Sequence, residues 1–386
     1  RLLLPAVIMK VKEIFNMSQL FSPFALGPLD LSNRIVVAPM CQYSAQEGSA
    51  TDWHLAHLGG LAMSGASVVI IEATGVEAIG RITPGCLGLW SDDNEAALAR
   101  TLKVTRPLSD AKWIIQLGHA GRKASSARPW DGGAQMAAAN GGWQACAPSA
   151  LAQLDNEAPP LALDHVGLQR IKNAFVEAAK RSVRLQLDGI ELHAAHGYLL
   201  HQFLSPLANQ RDDEYGGSLE NRMRFVLEIF DAVKAVMPNN MTLGVRVSAT
   251  DWVEGGWDLE QTIVLAHALK QRGCDFIDVS SGGVSNLQKI TPSPGYQVPF
   301  AQAIKAATGI ATMAVGLITE PQQAEDIIAQ DQADFVALAR GVLYNPRWGW
   351  HAAAALGASV AAPPQYWRCP PREARDLFTG TRLGQR

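Results

Sequence analysis

Eight short apolar runs recur along the chain, each ending in small or polar residues and each followed by a stretch with helical character. They are Ile35–Ala38, Ser67–Ile71, Trp113–Leu117, Gly189–Leu192, Thr242–Val247, Phe276–Val279, Thr312–Val315 and Phe335–Leu338. Unbroken apolar character implies burial on both faces, the condition of strands in a parallel sheet. Residues 52–65 form the first helical stretch, and residues 92–110 open on acidic side chains, which suit a helix N-terminus. Leu168, Ile171, Phe175, Ala179 and Val183 fall at helical spacing within 164–186. Residues 218–236 begin Ser-x-x-Asn and repeat Phe225, Ile229 and Val233 every four positions. "DLEQTIVLAHALKQRG" predicts a C-cap at Gly273, and "TEPQQAEDIIAQ" predicts a Thr319 cap ahead of Pro321. Strand–helix alternation of this kind predicts an α/β chain folded as a (β/α)8 TIM barrel. A doubly wound sheet is the alternative, but the chain lacks a glycine-rich dinucleotide turn.

A length of 386 residues suits one large barrel. Residues 17–368 are expected to form it, with 22–33 as a hairpin plug at the N-terminal end. Residues 119–163, rich in Gly, Ala and Pro, are a structureless insertion after the third strand and predict a lid on the catalytic face. Residues 1–16 precede Met17 and read as a non-native leader, while 369–386 read as a polar tail. The net charge of −3 favours neither nucleic acid nor an anionic membrane as partner. No stretch approaches a membrane span. The five cysteines are scattered, without zinc or disulfide spacing, so a reducing, cytoplasmic setting is expected.

A barrel carries its chemistry at the C-terminal ends of its strands. Those ends hold Pro39, Met40, Cys41, Gln42 and Tyr43, then Glu72 and Ala73, Gln116 and His119, then His193, His196 and Tyr198 in "HAAHGYLLHQFLSP". Arg246, Ser280, Gly316, Ala339 and Arg340 follow. Such a set suits a flat, hydrogen-bonding ring with a phosphate tail. A cation inside a buried strand needs an anion; for Arg246 that is either a bound anionic ring or a carboxylate such as Glu72 or Glu191. Gln116 offers a donor and an acceptor together. Gly316, Ala339 and Arg340 stand where barrels bind phosphate. His193 and His196 have no third ligand at metal spacing, so no metal is expected. A second pair, His54 and His57, reads as structural, and Trp130 and Trp143 read as pins for the insertion.

"DGIELHAAHGYLLHQFLSPLANQRDDEYGGSLENRMRF" (188–225) resembles the signature of the Old Yellow Enzyme family of FMN-dependent ene-reductases. "PMCQYSA" (39–45) and "GHAGRKAS" (118–125) resemble its thermophilic-like branch, which includes the xenobiotic reductases. The resemblance runs from Leu20 to Trp367. It implies tightly bound FMN, with hydride passing from NADPH or NADH through flavin N5 to the β-carbon of an activated alkene: an enone, enal, maleimide or nitroalkene. By the same resemblance His193 and His196 hold the activating oxygen, Tyr198 protonates the α-carbon, and Cys41 tunes the ring. Pro39, Met40, Ala73, Gln116 and Arg246 hold the flavin, with Gly316, Ala339 and Arg340 on its phosphate. Tyr43 lines the substrate pocket. Trp367 and Arg368 reach into a partner's site, which implies a homodimer or a tetramer of dimers. Larger iron–sulfur relatives are disfavoured, because no closely spaced cysteines are present.

Overall fold

The computed structural model describes residues 18–382; the leader 1–16 and Met17 lie outside them. Strands β1 (Phe24–Leu26) and β2 (Leu29–Leu31) form an antiparallel hairpin. It turns at Gly27, whose φ of 57° and 2.6 Å approach of a notional Cβ to the Asp275 carboxyl leave no place for a side chain. Then come β3 (Ile35–Val37), α1 (Asp52–Ala62), β4 (Val68–Gly75), α2 (Asp92–Thr105) and β5 (Lys112–Gly118). After the insertion follow α3 (His165–Arg184), β8 (Gly189–Ala194), α4 (Leu199–Leu204), α5 (Leu219–Lys234), β9 (Thr242–Ser248) and α6 (Leu259–Gln271). Strands β10 (Phe276–Ser280), β11 (Ala311–Ala314) and β12 (Phe335–Leu338) alternate with α7 (Val298–Thr308) and α8 (Pro321–Ala329), and α9 (Arg340–Tyr344) and α10 (Trp348–Leu356) close the ring.

The eight strands β3, β4, β5, β8, β9, β10, β11 and β12 pair in parallel in that order, and β12 returns to β3. The chain is therefore a (β/α)8 barrel. Alternate residues divide two cores. Outward side chains such as Val37, Val69, Ile115, Leu192 and Val245 pack against the helices. Inward ones, including Val36, Val68, Ile70, Ile114, Phe276, Met313 and Phe335, fill the lumen. Leu26, Leu29 and Leu31 of the hairpin belong to that inner cluster, so β1 and β2 seal the barrel from below.

Four helices begin on side-chain caps: Ser91, Asp164, Ser218 and Asp258 accept from the amides of Asn94, Gly167, Asn221 and Gln261. Each cap contributes about 1 kcal/mol. Thr319 does not cap α8. Its hydroxyl turns to the Glu320 carboxylate at 3.3 Å, and Glu320 takes the cap position without a side-chain bond, its extended backbone leading directly into Pro321.

The insertion is ordered by short turns and a two-residue parallel pair, β6 (Cys146–Ala147) with β7 (Leu161–Ala162). The Trp143 indole donates to the Ile79 carbonyl at 2.8 Å and lies 5.1 Å from the Arg81 guanidinium. Within the segment read as a polar tail, Leu377 and Phe378 are buried beside Trp350 and Val360. Backbone bonds from Val360 to Leu377 and from Thr379 to Val360 hold them there.

Candidate active site

The upper lumen is polar where the sequence places four groups on adjacent strands. Register sets Gln116 beside Glu191, and Arg246 between His193 and Asp278. All four of Gln116, Glu191, Arg246 and Asp278 are buried. Gln116 Nε2 donates to Glu191 Oε1 at 2.7 Å. The carboxylate facing Arg246 is Asp278, with Nε 3.1 Å from Oδ2, and not Glu72. Glu72 lies on β4, three strands away, where it meets His54 Nε2 at 3.2 Å and accepts the Gln42 amide at 2.8 Å. Burial, reinforced by Asp278, pushes the Glu191 carboxyl well above the usual carboxylate range despite Arg246. Burial also pushes Asp278 up, against the pull of Arg246.

His193 stands one residue before the end of β8, and the chain then turns sharply through His196 (φ 58°) and Gly197 (φ 73°) before α4 starts after Tyr198. One buried and one half-buried polar side chain fix this turn. His201 Nδ1 accepts the Gly197 amide at 2.9 Å, while its Nε2 meets Asp251 at 2.8 Å. Lys123 Nζ donates to the carbonyls of His196 and Gly283 at 2.9 and 3.1 Å. The His193 ring stands edge-on to His196 and Tyr198, with centroids 5.2 and 4.9 Å away. His193 Nδ1 accepts the Ala195 amide at 3.4 Å, which leaves Nε2 to face a ligand. His196 spends Nε2 on the Ser280 hydroxyl at 2.7 Å, so only its Nδ1 remains. Burial, then the Arg246 charge, lowers both imidazoles well below their ordinary value, so both are neutral at pH 7. Burial raises the Tyr198 phenol well above its ordinary value, and it keeps its proton.

Pro39, Met40 and Cys41 leave β3, and Ala73 interrupts the β4–β5 register. Burial raises the Cys41 thiol, helped by Cys86 and Glu72, so Cys41 is a thiol and not a thiolate. Tyr43 has a positive φ of 51° and meets Trp130 of the insertion edge-on at 5.8 Å. Across the mouth, Gly316, Ala339 and Arg340 line a cleft of about 150 Å³ with Gln297. Gly316 has φ 118°, and a Cβ there would sit 2.8 Å from Gln297 Nε2. His119, read at the β5 end, turns aside: Nε2 meets Glu77 at 3.0 Å and Nδ1 accepts the Gly121 amide at 3.0 Å. Trp367 is not at this mouth either; its indole bonds the Ala362 carbonyl at 3.0 Å, in the cluster of Trp350 and Met63. Arg368 follows it there.

A family model described as the NADH:flavin oxidoreductase / NADH oxidase family matches residues 19–357. The chain belongs to that family. It is 45% identical over 347 residues to an NADH:flavin oxidoreductase of Gibberella zeae, covering 85% of this chain and 84% of the relative. It is 43% identical over 354 residues to an NADPH dehydrogenase of Listeria innocua, covering 91% and 99%. The solved structure of a morphinone reductase superposes with a TM-score of 0.72 at 26% identity, covering 95% of each chain. The protein is thus an Old Yellow Enzyme-like oxidoreductase that uses FMN with NAD(P)H as electron donor.

The residues fit that cofactor. Arg246 Nε lacks a well-aligned acceptor, and Gln116 Oε1 takes no donor among the described residues. One cation and one amide thus face a mouth whose far side is a glycine-bounded, phosphate-sized cleft. Ser280, one of the strand-end residues, holds His196 Nε2, whereas Asp278, His201, Asp251 and Lys123 give no sign in the sequence that they are supports. Only the register of β9 against β10 would have brought Asp278 to Arg246.

Proposed function

We propose that the protein is an NAD(P)H-oxidising ene-reductase acting on enones, enals, maleimides and nitroalkenes in the cytoplasm. The observation that carries this reading is the pair of neutral imidazoles packed against a protonated phenol at the barrel mouth. Gln116, Arg246, Pro39, Met40, Ala73, Gly316, Ala339 and Arg340 would hold FMN, which would supply the hydride-transfer chemistry between NADPH or NADH and the alkene β-carbon. His193 Nε2 and His196 Nδ1 donate to the oxygen of the activating carbonyl or nitro group. Their bonds strengthen as that oxygen gains charge, which is how they lower the barrier. Tyr198 delivers its proton to the α-carbon; a weak acid suffices for a basic enolate carbon. Cys41 and Tyr43 border the same pocket and tune what it accepts. Trp367 and Arg368, held away from the mouth of their own chain, serve the site of a second copy in a homodimer.

The test separates the two half-reactions. Tyr198→Phe should leave reduction of the bound flavin by NADPH unchanged while slowing reoxidation by cyclohexenone about 10²-fold or more. Loss of the first step with the second intact would remove Tyr198 as the acid. His193→Ala should slow the same reoxidation about 10²–10³-fold, and parent-like kinetics would remove that donor.

A further inference from the structure

The group beneath the mouth has an odd number of charges. Glu191, Asp278 and Arg246 are buried together in the lumen, two carboxyls to one guanidinium. With both carboxyls ionised, Glu191 Oε2 and both Asp278 oxygens have no hydrogen-bond donor. An unpaired buried carboxylate is costly, and a group in that position takes up a proton instead. Glu191 on β8 and Asp278 on β10 flank β9, where Gly244, paired with Glu191 and two residues before the Arg246 that pairs with Asp278, puts no side chain between them. Gln116 from β5 donates to Glu191 Oε1, and Arg246 from β9 meets Asp278.

We propose that Glu191 and Asp278 hold one proton between them, and that this pair is the positioning device for both side chains that take the flavin edge. The proton sits on Glu191 Oε2 and is donated to Asp278. Glu191 Oε1 is then a carbonyl oxygen, which can only accept. That fixes the amide of Gln116 with its nitrogen down and its oxygen free for the cofactor. Asp278 remains the anion that counters Arg246. The guanidinium therefore offers the cofactor a cation already partly neutralised from below. The pair thus sets how strongly this site favours added negative charge on whatever binds at the mouth.

Infrared spectroscopy of the purified holoprotein reads the proton directly and needs no turnover. At pH 8 the parent should show a protonated-carboxyl C=O band that moves down in D2O and disappears in Glu191→Gln. A parent with no such band overturns the proposal, as does a Glu191→Gln variant that keeps it. The second arm is the midpoint potential of the bound flavin. Asp278→Asn leaves Arg246 uncountered, so reduced flavin should bind at least tenfold tighter relative to oxidised flavin, a rise of about 30 mV for the two-electron couple. An unchanged potential in a folded, FMN-loaded Asp278→Asn protein overturns it. Neither arm involves an alkene, so failure here is distinguishable from failure of the ene-reductase reading.

Discussion

The two mouth histidines differ from ordinary surface imidazoles in one respect that controls the pH behaviour of the site. Burial and the nearby Arg246 charge hold both neutral well below their usual range. Reoxidation by an alkene should therefore be flat across roughly pH 5.5–7, where an ordinary histidine titrates. A rate that follows a pKa near 6.5 would mean that one of them is exposed in solution. Lys123 sets the other limit. Burial lowers its ammonium to about 8, and its Nζ lies 5.1 Å from the Tyr198 ring. Because the folded value lies below the unfolded one of 10.5, the folded state sheds this proton first. Lys123 therefore makes the folded state gain stability as pH rises from about 8 to 10.5. His201 and Asp251, both fully buried, are the supports of the turn between the two histidines. His201→Ala leaves Asp251 Oδ1 without its partner, while Ser205 and Trp257 still donate to Oδ2, and should cost about 1–3 kcal/mol in urea unfolding; no measurable loss would show that water replaces the ring.

At the scale of elements, the alternation of apolar runs sufficed for the barrel, because continuous apolar strands have few other ways to be buried. The hairpin was legible from its turn residues, and Leu26, Leu29 and Leu31 do enter the lumen cluster. Leu26→Ala, at a fully buried position, should cost about 2–5 kcal/mol while leaving the flavin potential untouched. A shifted potential would mean that the plug reaches the mouth. What the sequence did not disclose depends on register and on long-range contact. Asp278 lies 32 positions from Arg246 and becomes its neighbour only through the pairing of β9 with β10. His201 reads as one more polar residue in an apolar stretch until Asp251, 50 positions on, is brought to it. The insertion looked structureless because its order comes from single anchors, such as Trp143 on Ile79, that have no period.

For the whole molecule, the position of the C-terminal segment decides how copies can cooperate. Trp367 is packed with Trp350, Met63 and Phe21, so it serves no site in its own chain from there. If the pair Trp367–Arg368 acts across a two-fold dimer, each site combines Tyr198 of one chain with Arg368 of the other. Mixing Tyr198→Phe protein with Arg368→Ala protein should then restore activity, because a mixed dimer contains one site with both residues intact. Random exchange would rebuild about a quarter of the sites. No gain on mixing, with exchange verified by mass, would place Arg368 outside the reaction.

Leu26, Leu29 and Leu31 also close the lower end of the barrel. With a ring over the upper end, the proton proposed for the Glu191–Asp278 pair is shielded from bulk water on both sides. A protein loaded with cofactor in D2O and then moved to H2O should keep its label until the cofactor departs, so the isotope clock of the lumen would run at the pace of cofactor exchange.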